Sequence, residues 1–367
     1  MPNLSRVLVD TDRIVAATTT ISTQILIPTI RGKIFPRNVT KSTLDILRTM
    51  SRIPEASKIW KKDVTEAFND ARFFNAGSLD LVREGWMPIL RLWALSDKDR
   101  MPELLSRLTP PTSAGIVFGV GASSARLDAD RKTQLTLRRM ALLMLSADND
   151  SFVVNMSGLQ EKLVDLMTAT VASSPSSTTR AEVYMLLRAL ALKNTSVHLA
   201  SLWPVVHTEL YDALSSLSPT DNRDTLNTLC MLQAAKLLDT LLTISPDDFQ
   251  MREWLFITDT IDAVYRPPHW KPVALADRLA ESLDMEAGEP QSATIPFANV
   301  SHGRKPLLTW DAIKGVPRED LIDKVLRPFL RQLSINSFES TYRMEASDWS
   351  TCCDDLLHDL FDSSTLV

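Results

Sequence analysis

The chain has 367 residues, a formal charge of −5 and 44% hydrophobic residues. This length exceeds what one small core usually organises, so two helical blocks or a continuous repeat array is expected. The mildly acidic balance argues against a nucleic-acid binder with a broad phosphate footprint, and 10 glycines and 4 tyrosines beside abundant leucine favour helices over strands.

The first residues are polar and lack the apolar centre of a secretory signal. Residues 14–30 form a long charge-free run, but its hydroxyl residues, glutamine and proline leave it short of the roughly 20 apolar residues a spanning helix needs. Any membrane contact is therefore expected to be peripheral. Leu4, Ile14, Thr18, Ile21 and Ile25 recur at helical spacing, which predicts a helix broken near Pro28. Helices are predicted next over 41–50, 54–70, 78–96 and 99–108. Residues 110–130 contain two prolines and Gly115, Gly119 and Gly121, and read as a long loop. Its GVGASS portion lacks the lysine-hydroxyl ending of a phosphate-binding loop, so packing outranks nucleotide binding.

Helices resume over 131–146 and 159–172. The run SSPSSTT at 173–179 reads as a connector between an N-terminal block, 1–172, and a C-terminal block, 180–367, of one continuous array. Helices are expected over 180–193 and 197–217. In the next stretch, Leu226, Leu229, Gln233, Leu237 and Leu241 give a broad apolar face, with Lys236 and Asp239 expected at a partly exposed edge. Ser245-Pro246 ends that helix, and Phe249, Trp254, Ile257, Ile261 and Val264 predict another before Arg266-Pro267-Pro268. Residues 286–305 read as an irregular insertion, and 316–333 and 349–361 as closing helices, the last with an acidic face turned to solvent. The helix pairs recur about every 40 residues, the range of HEAT or armadillo repeats. The fold class is therefore all-α, an α-solenoid of such pairs.

No catalytic constellation is legible. The five histidines lie outside metal-binding spacings, and Cys230, Cys352 and Cys353 suggest neither a disulfide framework nor a metal site. No cofactor or metal is expected, and Asp247, Asp248, Asp311, Asp354 and Asp355 read as helix caps. An enzyme on a helical scaffold remains the alternative from a different class, and it would need titratable groups converging in one cleft. Lys58, Lys61 and Lys62 bracket Trp60, with Arg31, Lys33 and Arg37 upstream. This mixture suits anionic phosphoinositide headgroups, although an ordinary solvated helix face explains it as well. Arg131, Lys132, Arg138 and Arg139 form a second basic cluster.

The runs RIPEASKIWKKDVTEAFNDARFF, LWPVVHTEL, AAKLLDTLLTISPDDFQMREWLFITDTIDAVYRPP and LRPFLRQLSINSFESTY resemble the C-terminal region of the Dopey family, nearest its fungal members. Trp203, Pro204, Lys236, Asp239, Trp254 and Asp259 carry that wording and are expected in its structural core. The resemblance implies a C-terminal portion of a much longer peripheral protein on the cytoplasmic face of Golgi (trans-Golgi network) and endosome membranes. It further implies a non-enzymatic scaffold or adaptor in membrane trafficking. The implied partners are a large HEAT-repeat Golgi protein related to Arf exchange factors and a lipid flippase complex. Self-association as a homodimer and a phosphoinositide-binding, membrane-targeting role are narrower expectations.

Overall fold

The computed structural model describes residues 10–108, 122–167, 177–218, 227–258, 273–287, 304–342, 344 and 346–362. Their regular elements are all helical, and one isolated parallel bridge joins Arg304 and Ser347. Helix α1 spans 11–30, α2 is Lys41–Met50, α3 is Ser57–Asn69, α4 spans 79–95 and α5 is Arg100–Ser106. They are followed by α6 (Ala122–Ser146), α7 (Met156–Met167), α8 (Ser177–Lys193), α9 (Trp203–Ser215) and α10 (Thr228–Ile244). The array closes with α11 (Leu275–Ala287), α12 (322–342) and α13 (Trp349–Phe361).

Three of these helices pass through a proline by one device. In α1, α4 and α12 a single π-helical turn, Ser22–Leu26, Val82–Trp86 or Ile322–Leu326, ends one residue short of Ile27-Pro28, Met87-Pro88 or Arg327-Pro328. The residue before each proline donates its amide to a carbonyl five residues back, Ser22, Val82 or Ile322. Proline brings no amide and crowds the carbonyl four residues back, and the wider turn absorbs that mismatch so that the helix resumes. Helix α1 therefore runs two residues past Pro28 instead of breaking at it.

The middle of the chain is built in two rows. Helices α4, α6, α8 and α10 pack side by side, and α5, α7, α9 and α11 pack along one face of that row. The first row is buried without interruption from Ala181 to Leu192 in α8 and from Cys230 to Ile244 in α10. A helix buried all round needs cover on its remaining face, and α13 supplies it by lying against α8 and α6. It also touches the segments Leu79–Leu81, Ala71–Asn75 and Trp310–Ile313. Phe361 at its end packs against Phe74 with the rings tilted 51° to each other and their centroids 5.3 Å apart.

The contact between α13 and the row is ionic as well as apolar. Arg188 Nη2 lies 2.6 Å from Asp355 Oδ2, and its Nη1 lies 2.5 Å from Asp359 Oδ2. Lys236 Nζ reaches Asp359 Oδ1 at 2.7 Å and Asp355 Oδ1 at 3.2 Å. Gln233 and Thr240 accept from Arg188, at 3.2 Å and 3.3 Å, and the Trp310 amide donates to Asp355 at 2.6 Å. One helix along, Arg138 Nε holds the Glu182 carboxylate at 3.0 and 3.1 Å, and its Nη1 donates to the Leu360 and Asp362 carbonyls, both at 3.0 Å. Arg138 thus caps the C-terminus of α13, where orphaned carbonyls favour a cation. Arg139 does the same for α3, donating to the Phe68 and Asn69 carbonyls at 2.8 Å each.

These contacts correct several expectations. Asp355 and Asp359 make α13 a buried strut, not a solvent-facing acidic cap, and Lys236 and Asp239 are 2% and 3% exposed. Arg138 and Arg139 are buried helix-to-helix donors, not a basic surface. Helix α6 begins at Ala122, inside the predicted loop, while 110–121 lie outside the described residues. The connector is helical from Ser177 onward, with 173–176 outside the described residues. The expected helix at 197–217 is split into Ser196–Leu199 and α9, because Pro204 at the second position of α9 starts a new helix. The helix expected from Phe249 starts as a short Asp247–Gln250 turn and a 3-10 turn, Glu253–Leu255, while 259–272, with Ile261 and Val264, lie outside the described residues. Residues 286 and 287 belong to α11, and 288–303 lie outside the described residues.

Removing one partner of a buried ion pair leaves an uncompensated charge, which costs about 3–5 kcal/mol. Arg188→Met is expected to lose stability in that range by urea denaturation. Lys324→Met, whose partner Asp320 is at the surface, should leave the urea midpoint nearly unchanged.

Candidate functional site

Polar side chains at the ends of the long helices converge on one edge. After α6, the Asp150 amide donates to the Lys193 carbonyl at 2.9 Å, and the Asp150 carboxylate accepts the Thr195 amide at 2.9 Å. After α8, Ser196 Oγ donates to Asp248 Oδ2 at 2.8 Å. After α10, Arg304 Nη1 donates to Ser245 Oγ at 3.2 Å, and the Arg304 backbone pairs with Ala346 and Asp348. The turns at 147–155, 194–202 and 245–254 and the segment before α13 are therefore one hydrogen-bonded margin.

That margin carries the exposed apolar side chains Val154, Val197, Met251, Trp254 and Trp349, of which Trp254 is 57% and Trp349 44% exposed. The same margin holds an open groove of about 240 Å³, bounded by Lys193, Thr195, Ile244, Pro246, Asp247 and Trp349. Ser245 takes a left-handed conformation, φ 50°, to end α10 and turn the chain along the groove.

The residues singled out in the sequence go to different places. Trp203 and His207 lie in the core beside α10, where His207 stacks on Phe249 with centroids 5.4 Å apart and its Nδ1 lies 2.6 Å from the Trp203 carbonyl. Burial pushes the His207 imidazole below its ordinary value. Pro204 opens α9. Lys236 belongs to the ionic contact with α13, and Asp239 Oδ2 accepts the Leu308 amide at 2.7 Å, tying the segment after 304 to α10. Trp254 is at the surface, a correction to its expected core position, because the short turn carrying it leaves no helix face to bury the ring. Asp259 lies outside the described residues.

The basic residues separate into committed and open ones. Arg31 pairs with Asp63 at 2.6 Å and with Glu66, and Lys61 Nζ donates to the Ser96 carbonyl at 3.1 Å. Trp60 is 3% exposed and holds α3 to its neighbours, so it is not available to a bilayer. Lys58 and Lys62 stand exposed one turn apart on α3, and Lys33 and Arg37 flank Ile34, itself 66% exposed, in the turn after α1.

Titratable groups inside the fold act in pairs. Burial drives Glu182 upward against the opposing Arg138 charge. Burial also opposes ionisation of Asp359, yet Lys236 and Arg188 outweigh it and hold the carboxyl below its ordinary value. Burial pushes Cys230 up to about 12, the opposite of a reactive thiol. No group of three or more His, Cys, Asp and Glu side chains among the described residues is placed to hold a metal ion, and no described helix is long and apolar enough to cross a membrane.

Sequence reasoning missed Arg188, Asp355, Asp359 and the groove. Arg188 interrupts the apolar run VYMLLRALALK, and a charge inside a helix apolar all round is itself a signal of a buried partner. The groove had no such signal, since it is assembled from four separate turns.

Comparison with known proteins matches residues 1–343 to the DOP1 C-terminal family. The chain is 50% identical over its whole length to Protein dop1 of Emericella nidulans. It is 26% identical over 93% of its length to Protein DOP1 of Saccharomyces cerevisiae, and 25% identical over 78% to Protein DOP1B of Xenopus laevis. It spans 20%, 19% and 13% of these relatives, a fifth or less of each. No solved structure matches.

Burial pushes the Asp239 carboxyl up to about 7, against the Leu308 amide that favours its charged form. With the folded value above the unfolded one, the native state holds a proton between about pH 4 and 7 that the unfolded chain has lost. Stability from this group is present at low pH and falls as pH rises through about 7. Asp239→Asn, which still accepts the Leu308 amide, is expected to flatten the decline in melting temperature between about pH 4 and pH 7.

Proposed function

We propose, from the premise that the chain belongs to the Dopey (DOP1) family, that it is a non-enzymatic scaffold in Golgi–endosome membrane trafficking. It forms one module of a much longer peripheral protein on the cytoplasmic face of those membranes. The observation that carries this reading is the hydrogen-bonded margin of turns with its exposed apolar side chains, Val154, Val197, Met251, Trp254 and Trp349. Exposed apolar side chains gathered on one hydrogen-bonded margin suit protein association. The buried charges, in contrast, are spent on holding α13 to the helix row.

Two packed rows of helices joined by turns at one edge support an α-solenoid of HEAT-like pairs, a form that presents long binding margins. The partner proposed for this margin is a large HEAT-repeat Golgi protein related to Arf exchange factors, with a lipid flippase complex in the same assembly. Cross-linking of the chain to that HEAT-repeat partner, followed by peptide mapping, tests the reading. Contacts are expected in 147–155, 194–202, 245–254 and 346–349, and contacts confined to α1–α3 would refute it.

A second reading is favoured by the exposed cations Lys33, Arg37, Lys58 and Lys62 beside the projecting Ile34. This combination suits a membrane surface bearing phosphoinositide, each cation contributing about 1 kcal/mol. Flotation with phosphatidylcholine vesicles, with and without phosphoinositide, is expected to show phosphoinositide-dependent binding that drops severalfold in Lys58→Glu/Lys62→Glu. Equal flotation of the variant removes α3 from that role.

A further inference from the structure

We propose that the groove between the ends of α8 and α10 receives an arginine side chain from an extended segment of a partner protein, with a neighbouring aliphatic residue of that segment resting on Val197 or Met251. This rests on the scaffold reading and names the chemistry of what the margin holds.

The size of the groove sets the class of ligand. Small-molecule sites usually run from roughly 300 to 1,000 Å³, whereas this groove is open and about 240 Å³. Such a space fits one or two side chains, not a drug-sized ligand. Its walls are mostly apolar, including Ala191, Leu199, Ile244 and Pro246, which favours a side chain with an aliphatic stem.

Electrostatics sets the sign. The C-termini of α8 and α10, each 17 residues long, both border the groove, and each carries the equivalent of about half a negative charge. The carboxylates of Asp150, Asp247, Asp248 and Asp348 lie on the same margin. Against them stand Lys193, at the end of α8, Lys305, whose ammonium is 3.8 Å from Asp348, Arg304, whose guanidinium donates to Ser245, and the N-terminus of α13 at Trp349, with about half a positive charge, so that four carboxylates and two helix C-termini face three cations and one helix N-terminus. The balance favours a cation.

Trp349 decides between the two cationic side chains. Its half-exposed indole forms part of the groove wall, and a ring in that position attracts a cation over its face. Guanidinium stacks on aromatic faces and is more weakly hydrated than ammonium, so it enters a largely apolar groove at lower desolvation cost. The apolar Val197 and Met251, 79% and 77% exposed, stand on the turns after α8 and α10, one residue after the groove's Ser196 and four after its Asp247, and offer the second contact.

Panning a random heptapeptide display library against the 367-residue chain, followed by fluorescence polarisation of the enriched peptides, tests the proposal. The expected consensus is arginine next to leucine, isoleucine or valine. Binding should weaken about tenfold with Trp349→Ala, with Asp247→Lys and with citrulline in place of arginine, and should weaken as salt is raised. Asp247 is exposed, so Asp247→Lys keeps the test valid even if Trp349→Ala lowers the melting temperature. Failure to enrich any sequence, an acidic consensus, or peptides that bind Asp247→Lys as tightly as the unaltered chain would overturn the proposal. Cross-links to the HEAT-repeat partner elsewhere on the margin, with no arginine-peptide binding, would sink the groove assignment and leave the scaffold reading standing.

Discussion

The fold depends on the cluster in which Arg188 and Lys236 share Asp355 and Asp359. Two cations and two carboxylates, all less than a tenth exposed, join three helices that are far apart in sequence, α8, α10 and α13. Taking four charges out of water is expensive, and the attraction between them offsets that cost only when geometry and additional hydrogen bonds are good. Here the remaining donors and acceptors are engaged: Gln233 and Thr240 serve Arg188, and the Trp310 amide serves Asp355. The stabilisation from such a cluster is therefore small in net terms, while loss of any one member is costly. Its main effect is on position, because α13 satisfies both carboxylates at only one register along the helix row.

Apolar burial alone would not set that register. Helix α13 presents Leu356, Leu357 and Leu360 to neighbours rich in leucine, and leucine-on-leucine contacts tolerate a slide of one turn far better than ion pairs do. The second contact, Arg138 with Glu182 and the carbonyls of Leu360 and Asp362, fixes the other end of the helix. Between the two, α13 is held at points on α6, α8 and α10. The charged side chains that would be suspected of chemistry in a cleft are thereby used for docking one helix on three others.

Legibility from sequence follows the range of the interaction. Periodicity identifies α2, α3 and α13 nearly to the residue, because their apolar spacing and caps are local. Local information also names Pro28 as an interruption and runs helices through Pro88 and Pro328, but does not reveal that a π-helical turn lets each helix continue. Lys236 and Asp239 illustrate the opposite case. On their own helix they look like an exposed edge, and only the arrival of α13 and of Leu308, over a hundred and nearly seventy residues later, makes that edge interior. The acidic face of α13 was misleading for the same reason. The groove is the least legible feature, since Lys193, Pro246, Asp247 and Trp349 belong to different turns and none has a distinctive neighbour in sequence.

The buried cluster and the groove are nevertheless two ends of one object. Trp349 is the first residue of α13, and Asp359 lies ten residues along the same helix, roughly 15 Å away at the helical rise. Once Arg188 and Lys236 fix Asp355 and Asp359, the helix carries Trp349 to a set place beside the ends of α8 and α10. Asp348 locks the same end by capping α13 through the Thr351 amide at 2.9 Å, and its own amide is held by the Arg304 carbonyl at 2.9 Å. The wall of the groove is thus positioned from the interior. A surface formed by four turns would ordinarily shift with each of them, but this one is referenced to a helix held by buried ion pairs to α8 and α10, which gives it a defined shape.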